Sequence, residues 1–108
     1  MDKKIGEIIK IFRNSLEGEG IKIKKIVIFG SYAKGTARKH SDIDMIVISD
    51  RFKTLDIVKR QELIGLALAR AKVMDPIEAL GYTEEEYILE GRGTFIGDEV
   101  KSKGIEVV

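Results

Sequence analysis

The sequence contains no cysteine, no tryptophan and a single proline in 108 residues. Without cysteine, the chain has no disulfide framework, no thiolate metal site and no cysteine nucleophile. No apolar run approaches the ~20 residues that a membrane-spanning helix needs, and the charged N-terminal segment does not resemble a signal peptide. We therefore expect a single cytoplasmic domain over residues 1–108, since one proline argues against a linker between domains.

Opposite charges are nearly balanced, with 19 Lys or Arg residues against 18 Asp or Glu residues and a net charge of +1. Proteins that bind nucleic acid along its phosphates carry a marked basic excess, because each phosphate contact needs a cation. Aromatic residues make up only 6% of the chain, which disfavours a platform for stacking many successive bases. We therefore expect no large nucleic acid and no membrane among the partners.

Hydrophobic spacing predicts a small α+β domain, in which helices pack on a mixed β-sheet. Thr83 followed by Glu86 has the spacing of a capping box, and Pro76 suits an edge strand. The predicted elements, in chain order, are a helix ending near residues 18–20, a strand over 24–29, a short helix after residue 31, a strand over 43–48, a helix over 55–71, a strand over 72–79, a short helix after residue 83 and, in an ambiguous tail, a helix over 94–102 and a strand over 105–108.

Two aspartates, Asp42 and Asp44, open the strand predicted over 43–48. Side chains alternate along a strand, so both carboxylates point to the same side. Two like charges that are partly desolvated repel each other, and a bound cation offsets that repulsion. Hard carboxylate oxygens suit Mg²⁺, which favours phosphates as further ligands. An isolated Asp-x-Asp is more often a solvated pair, so this feature needs support from elsewhere in the sequence.

That support comes from Gly30 and Ser31, which follow a buried strand and precede a helix. A glycine lets another group approach the backbone closely, and a serine hydroxyl beside free backbone N–H groups favours an anion. The sequence is not a P-loop: Gly30 and Gly35 match its two glycines, but Thr36 and Ala37 stand where the motif requires Lys and Ser or Thr.

The stretch from Gly30 to Asp44 resembles the G-S-x10-D-x-D signature of the DNA polymerase beta-like nucleotidyltransferase superfamily. It is most similar to the minimal nucleotidyltransferases of prokaryotes, and the order of elements agrees up to about residue 90. The resemblance implies a nucleotidyltransferase fold in which Gly30 and Ser31 hold the β- and γ-phosphates of ATP. It also implies that Asp42 and Asp44 are catalytic and bind two Mg²⁺ ions, which orient the triphosphate and lower the pKa of an attacking hydroxyl.

A third carboxylate on a later strand usually completes the site in this family. We expect Asp75 to be that catalytic metal ligand, because it lies in the strand predicted after the long helix. Glu78 is the alternative, since Pro76 interrupts the alternation of the strand. Lys34 and Arg38 are expected to reach the phosphates, with a solvated helix face as an equally weighted alternative.

The resemblance also implies a reaction and a partner. We expect an enzyme that transfers a nucleoside monophosphate, AMP from ATP, to a hydroxyl of a partner protein. Relatives of this size often pair with a HEPN-domain protein as the antitoxin of a toxin–antitoxin system, and the apolar tail over 105–108 suits a partner or a second copy. The alternatives are a binding module that neutralises its partner by occlusion without catalysis, and an antibiotic-type nucleotidyltransferase with a small-molecule acceptor.

Overall fold

Four strands form one mixed sheet in the computed structural model, which describes residues 3–91 and 93–107. The strand order is β3-β2-β1-β4; β1 lies antiparallel to β2 and β4, and β2 lies parallel to β3. The strands are β1 (Lys25–Phe29), β2 (Ile43–Ile48), β3 (Ile77–Tyr82) and β4 (Ile105–Glu106). The predicted α+β class with a mixed sheet is confirmed.

Several of the helices begin at a residue whose side chain caps the first turn. Asp56 accepts a hydrogen bond from the backbone N–H of Lys59 at 2.8 Å, and Thr83 with Glu86 forms the predicted capping box. The helices are α1 (Lys3–Gly18), α2 (Ser31–Lys34), α3 (Ile57–Arg70) and α4 (Glu84–Leu89), with a 3₁₀-helix (Asp50–Thr54) and a π-helix (Ile96–Lys101). Among the helices of residues 3–91 and 93–107, none has the length and apolar character to cross a membrane.

Both faces of the sheet are covered, one by α1 and α3 and the other by α4 and the π-helix. Side chains of β2 alternate between the two faces, because successive residues of a strand point in opposite directions. Met45 and Val47 pack with α1 and α3, whereas Ile46 and Ile48 pack with α4 and the π-helix. Asp44 therefore lies on the face of Ile46 and Ile48, toward the π-helix.

The bounds predicted for the third strand, 72–79, were wrong. Lys72 adopts a left-handed conformation with φ of 55° in the turn that follows α3, so an extended chain does not begin there. The strand starts only after Pro76, whose carbonyl accepts a hydrogen bond from Ile43 N–H at 2.8 Å. Asp75 consequently lies in the loop before β3, whereas Glu78 lies within the strand itself.

The C-terminal tail is helical within the predicted range of 94–102, but the helix is the π-helix (Ile96–Lys101). The strand predicted over 105–108 is present as the short β4. β4 pairs with β1 through Ile105 and Glu106, and Val108 lies outside the described residues. Gly104 makes this pairing feasible, because a Cβ there would clash with the side chain of Val27 and the carbonyl of Val100. The C-terminal segment thereby closes the sheet at β1, while β3 forms the opposite edge.

Candidate active site

Asp44 and Glu78 occupy paired positions on the parallel strands β2 and β3. Asp44 is half-buried, whereas Glu78 and the preceding aspartate, Asp42, are exposed. Burial raises the pKa of the Asp44 carboxyl, and the negative charges of Glu78 and Asp42 raise it further. The charges of Glu78 and Asp42 thus act on Asp44 at the start of β2, and a cation would relieve this repulsion.

Gly30 joins this acidic group through its backbone. It has φ of 72° and ψ of −149°, a conformation open essentially only to glycine. A Cβ at this position would collide with Oδ2 of Asp44, so the carboxylate lies directly against the Gly30 backbone. Phe29, the residue before the glycine, pairs with Asp44 across β1 and β2. The predicted phosphate loop and the predicted metal ligand are thus neighbours.

Ser31 begins α2, a helix of only four residues. The helix ends at Gly35, which adopts a left-handed conformation with φ of 73° and donates its N–H to the carbonyl of Ser31. Ser31 is half-buried beside Gly30. The short helix and the turn at Gly35 keep the predicted phosphate loop close to the end of β1.

An open pocket of about 500 Å³ lies over this corner of the sheet, within the size range of small-molecule sites. It is lined by Phe29, Gly30, Lys34, Asp44, Glu78, Leu80, Phe95 and Glu99. The ammonium of Lys34 lies 3.3 Å from a carboxylate oxygen of Glu99. This ion pair, with a second cation at Lys103, lowers the pKa of Glu99. A predicted phosphate ligand is thus present in the pocket and paired with a carboxylate.

Arg38 and Asp75 do not lie in this pocket. Both line a second pocket of about 300 Å³, beside α1 and the start of β2. Asp75 forms an ion pair with Lys4 at 3.7 Å. The structure therefore brings Gly30, Lys34 and Asp44 together but separates Arg38 and Asp75 from them.

Carboxylate oxygens are suitable donors for Mg²⁺, so the chemistry of Asp42, Asp44 and Glu78 fits that ion. Burial raises the pKa of Asp44 most, and the negative charges of Glu78 and Asp42 raise that pKa further, so a divalent cation would stabilise the ionised carboxylate. Within residues 3–91 and 93–107, no three His, Cys, Asp or Glu side chains are already grouped as a metal site. The carboxylates would have to close around an ion.

Sequence reasoning missed Phe95 and Glu99, which reach the pocket from the far end of the chain. Phe95 directly precedes the π-helix and Glu99 lies within it. No local pattern connects these residues with the motif near residue 30, since only the folded sheet brings them together. Glu78 was foreseen only as the alternative to Asp75.

Gly30 and Asp44, the two ends of the sequence motif, lie in contact in the fold. A family model described as a nucleotidyltransferase domain matches residues 5–96. The chain belongs to the nucleotidyltransferase family. The resemblance stated from the sequence is confirmed, as is its consequence that the chain belongs to a family of enzymes.

Its relatives within the family include protein adenylyltransferases. A protein of Methanocaldococcus jannaschii named "Putative protein adenylyltransferase" is 30% identical over 94% of this chain and 96% of its own length. Protein adenylyltransferase MntA of Shewanella oneidensis is 40% identical over 53% of this chain, but the match covers 37% of MntA. Matches to two other M. jannaschii proteins cover 46% and 65% of those proteins. The chain thus spans about half the length of several curated relatives.

Solved structures support the same fold. A crystal structure of a toxin–antitoxin with AMP-PNP is 26% identical to this nucleotidyltransferase, with a TM-score of 0.59 over 94% of this chain and 69% of that chain. A Sulfolobus solfataricus nucleotidyltransferase structure has a TM-score of 0.60 at 17% identity, over 93% of this chain and 78% of its own, which shows a shared fold alone. These likenesses agree with the nucleotidyltransferase family that the sequence match shows.

Proposed function

We propose that this nucleotidyltransferase transfers AMP from ATP to a hydroxyl of a partner protein in an Mg²⁺-dependent reaction. The observation that carries the proposal is the contact between the Gly30 backbone and the Asp44 carboxylate, with Glu78 beside them in an open pocket. A triphosphate held at Gly30 and a metal ion held at Asp44 would be adjacent there. The adenylyltransferase relatives and the neighbour crystallised with AMP-PNP support ATP as the donor.

The proposal assigns a task to each of the polar residues in and beside the pocket that would meet the phosphates or the metal. Gly30 and Ser31 hold the β- and γ-phosphates, and Lys34 exchanges its partner Glu99 for a phosphate oxygen. Asp42 and Asp44 hold two Mg²⁺ ions, which supply charge neutralisation at the phosphates and a lower pKa of the acceptor hydroxyl when bound. Glu78, not Asp75, completes the acidic group, because only Glu78 shares a sheet face and register position with Asp44.

The transfer is a displacement at the α-phosphorus. The acceptor oxygen forms a bond to that phosphorus, and the bond to the bridging oxygen of the β-phosphate breaks. Pyrophosphate leaves, and the hydroxyl proton passes to Glu78 or to water. The acidic corner would hold the reacting groups in line, a placement that itself contributes much of the rate.

The acceptor in this proposal is a HEPN-domain toxin, for which the chain acts as antitoxin in the cytoplasm. The toxin–antitoxin neighbour supports a partner protein of this kind. We also propose that residues 1–108 form a single domain, since β1 and β2 contribute to both hydrophobic clusters. A hetero-oligomer with the toxin, or a homodimer, would bring the acceptor to the pocket.

The test combines the protein, Mg²⁺, ATP labelled at the α-phosphate and the HEPN-domain protein encoded beside it. We expect label on the partner, lost when Asp42→Asn and Asp44→Asn are combined. Asp50→Asn is the matched control, because Asp50 lies past the opposite end of β2 and pairs with Lys24 at 2.8 Å. Control and wild type should label the partner equally.

Two outcomes would contradict the proposal. If the double variant neutralises the toxin fully and the wild type transfers no label, the chain is a binding module that acts by occlusion. If label appears on an aminoglycoside but never on the partner protein, the acceptor is a small molecule.

A further inference from the structure

The lining of the pocket over Asp44 includes two chemically different groups of residues. Gly30, Lys34 and Asp44 offer the backbone, cation and carboxylate that suit phosphates and metal. Phe29, Leu80 and Phe95 add an apolar surface to the same lining. A nucleoside triphosphate has the same division, with a polyanionic chain at one end and a flat aromatic base at the other.

Phe95 is unusually exposed for an aromatic residue in a folded domain, since 54% of its surface is accessible. An exposed aromatic ring that lines a pocket is accessible to a ligand, and contact with a flat ligand would remove part of the ring from water. In contrast, the next residue, Ile96, is 2% exposed. The backbone is therefore anchored while the Phe95 ring stays accessible.

The Phe95 ring packs against the ring of Phe29. Its centroid lies 5.4 Å from that of Phe29, with the ring planes at 79°, the edge-to-face arrangement that aromatic pairs favour. Phe29 is itself buried at the end of β1, directly before Gly30. The contact with Phe29 limits the freedom of the ring beside the predicted phosphate loop, which would spare part of the entropy lost on binding.

We propose that the Phe95 ring stacks on the adenine of ATP bound with its phosphates at Gly30 and Lys34. This inference rests on the proposed function, and it assigns the base-binding residue of the same pocket. Aromatic stacking is worth about 1–3 kcal/mol per base by alanine substitution, which corresponds to about 5- to 150-fold in affinity. Stacking also tolerates any base, so selectivity between purines would come from other contacts.

A calorimetric comparison of two probes tests the stacking. Phe95→Ala should raise the Kd of Mg²⁺-ATP by about 5- to 150-fold while leaving the Kd of Mg²⁺-tripolyphosphate unchanged, because tripolyphosphate has no base. Phe95→Tyr preserves the ring and should bind both probes as the wild type does. Equal losses for the two probes, or an unchanged Kd for ATP, would overturn the proposal.

A second variant gives a direct optical readout. The chain has no tryptophan, so Phe95→Trp introduces a single indole at the pocket. ATP should quench its fluorescence by stacking, and tripolyphosphate should not. Absence of quenching at ATP concentrations that saturate this variant by calorimetry would overturn the proposal.

Failure of the wild type to bind Mg²⁺-ATP would overturn the proposed function and the stacking together, whereas wild-type binding with an unaffected Phe95→Ala variant would overturn the stacking alone.

Discussion

Asp44 on β2 and Glu78 on β3 face the same side of the sheet at paired positions of two parallel strands. Burial raises the pKa of Asp44, and the negative charge of the nearby Glu78 raises it further. Such a pair is unfavourable for folding and useful for binding a divalent cation. Because the Gly30 backbone lies against the Asp44 carboxylate, a metal ion bound by the acidic pair and a phosphate bound at Gly30 would be adjacent.

Glu78 and Asp75 should differ sharply in their contribution to transfer. Glu78→Gln removes a carboxylate beside Asp44, and we expect kcat to fall by about 10²-fold or more. Asp75→Asn removes only a surface ion pair with Lys4, worth about 0–1 kcal/mol, and should leave kcat nearly unchanged. Steady-state rates of label transfer check both. If Asp75→Asn lowers kcat more than Glu78→Gln does, then Asp75 is the third carboxylate of the site, as expected from the sequence.

Gly30 and Gly35 provide a matched pair for the contact with Asp44. Both have positive φ, 72° and 73°, so alanine strains the backbone at either position. Only at Gly30 would the added Cβ meet Asp44, whereas nothing lies within 4 Å at Gly35. Gly35→Ala should cost about 1 kcal/mol of unfolding free energy and retain transfer. Gly30→Ala should abolish transfer, and normal activity in that variant would disprove the contact.

Lys34 and Arg38 lie in different pockets, and we therefore expect their variants to differ in the KM for ATP. Lys34→Gln removes a cation that we propose moves from Glu99 to a phosphate, so the KM for ATP should rise by about tenfold. Arg38→Gln alters the second pocket and should leave that KM within about twofold, the range of weak surface electrostatics. Initial rates at varied ATP concentration measure both values. Equal increases would show that Arg38 also reaches the nucleotide.

Arg60 and Glu86 give a prediction about stability and pH. Arg60 is 8% exposed and donates hydrogen bonds to both oxygens of Glu86, at 2.6 and 3.0 Å. This contact is the main reason that the pKa of Glu86 is lowered from 4.5. A lowered carboxyl pKa stabilises the folded state above the unfolded value, and the gain disappears as pH falls through the folded value.

Glu86→Gln should therefore lower the unfolding free energy by about 1–2 kcal/mol at pH 7, a modest value because the Glu86 side chain is 44% exposed. The difference in unfolding free energy between this variant and the wild type should become smaller as the pH falls below 4.5. Urea melts at several pH values measure this, and Glu85→Gln, an exposed neighbour on α4, is the control. If this difference in unfolding free energy does not depend on pH, the negative charge of Glu86 is not its cause.

Local patterns specified much of this fold. The continuous apolar run over 45–48 after Ile43 and Asp44 placed β2 at the residues observed. Thr83 with Glu86 gave the start of α4, because a capping box involves only neighbouring residues. The third strand was misplaced because Val73 and Met74 have strand-forming character, whereas the turn at Lys72 and the pairing with β2 depend on tertiary structure.

The same distinction holds for the site. Gly30, Ser31, Asp42 and Asp44 lie in one contiguous motif, and the structure brings Gly30 and Asp44 into contact. Glu78 depends on the register between β2 and β3, which a single sequence does not encode locally. Phe95 reaches the pocket only through the docking of the π-helix on the sheet, a long-range contact without a local signature.

Calorimetric titration with Mg²⁺-ATP tests most directly whether Asp44 and the Gly30 loop share one metal–phosphate site. The wild type should bind the complex with Mg²⁺ present and lose affinity by more than about tenfold when Mg²⁺ is removed. Asp44→Asn should lose that dependence on Mg²⁺ while remaining folded. Binding of Mg²⁺-ATP by Asp44→Asn with the affinity and metal dependence of the wild type would contradict the account.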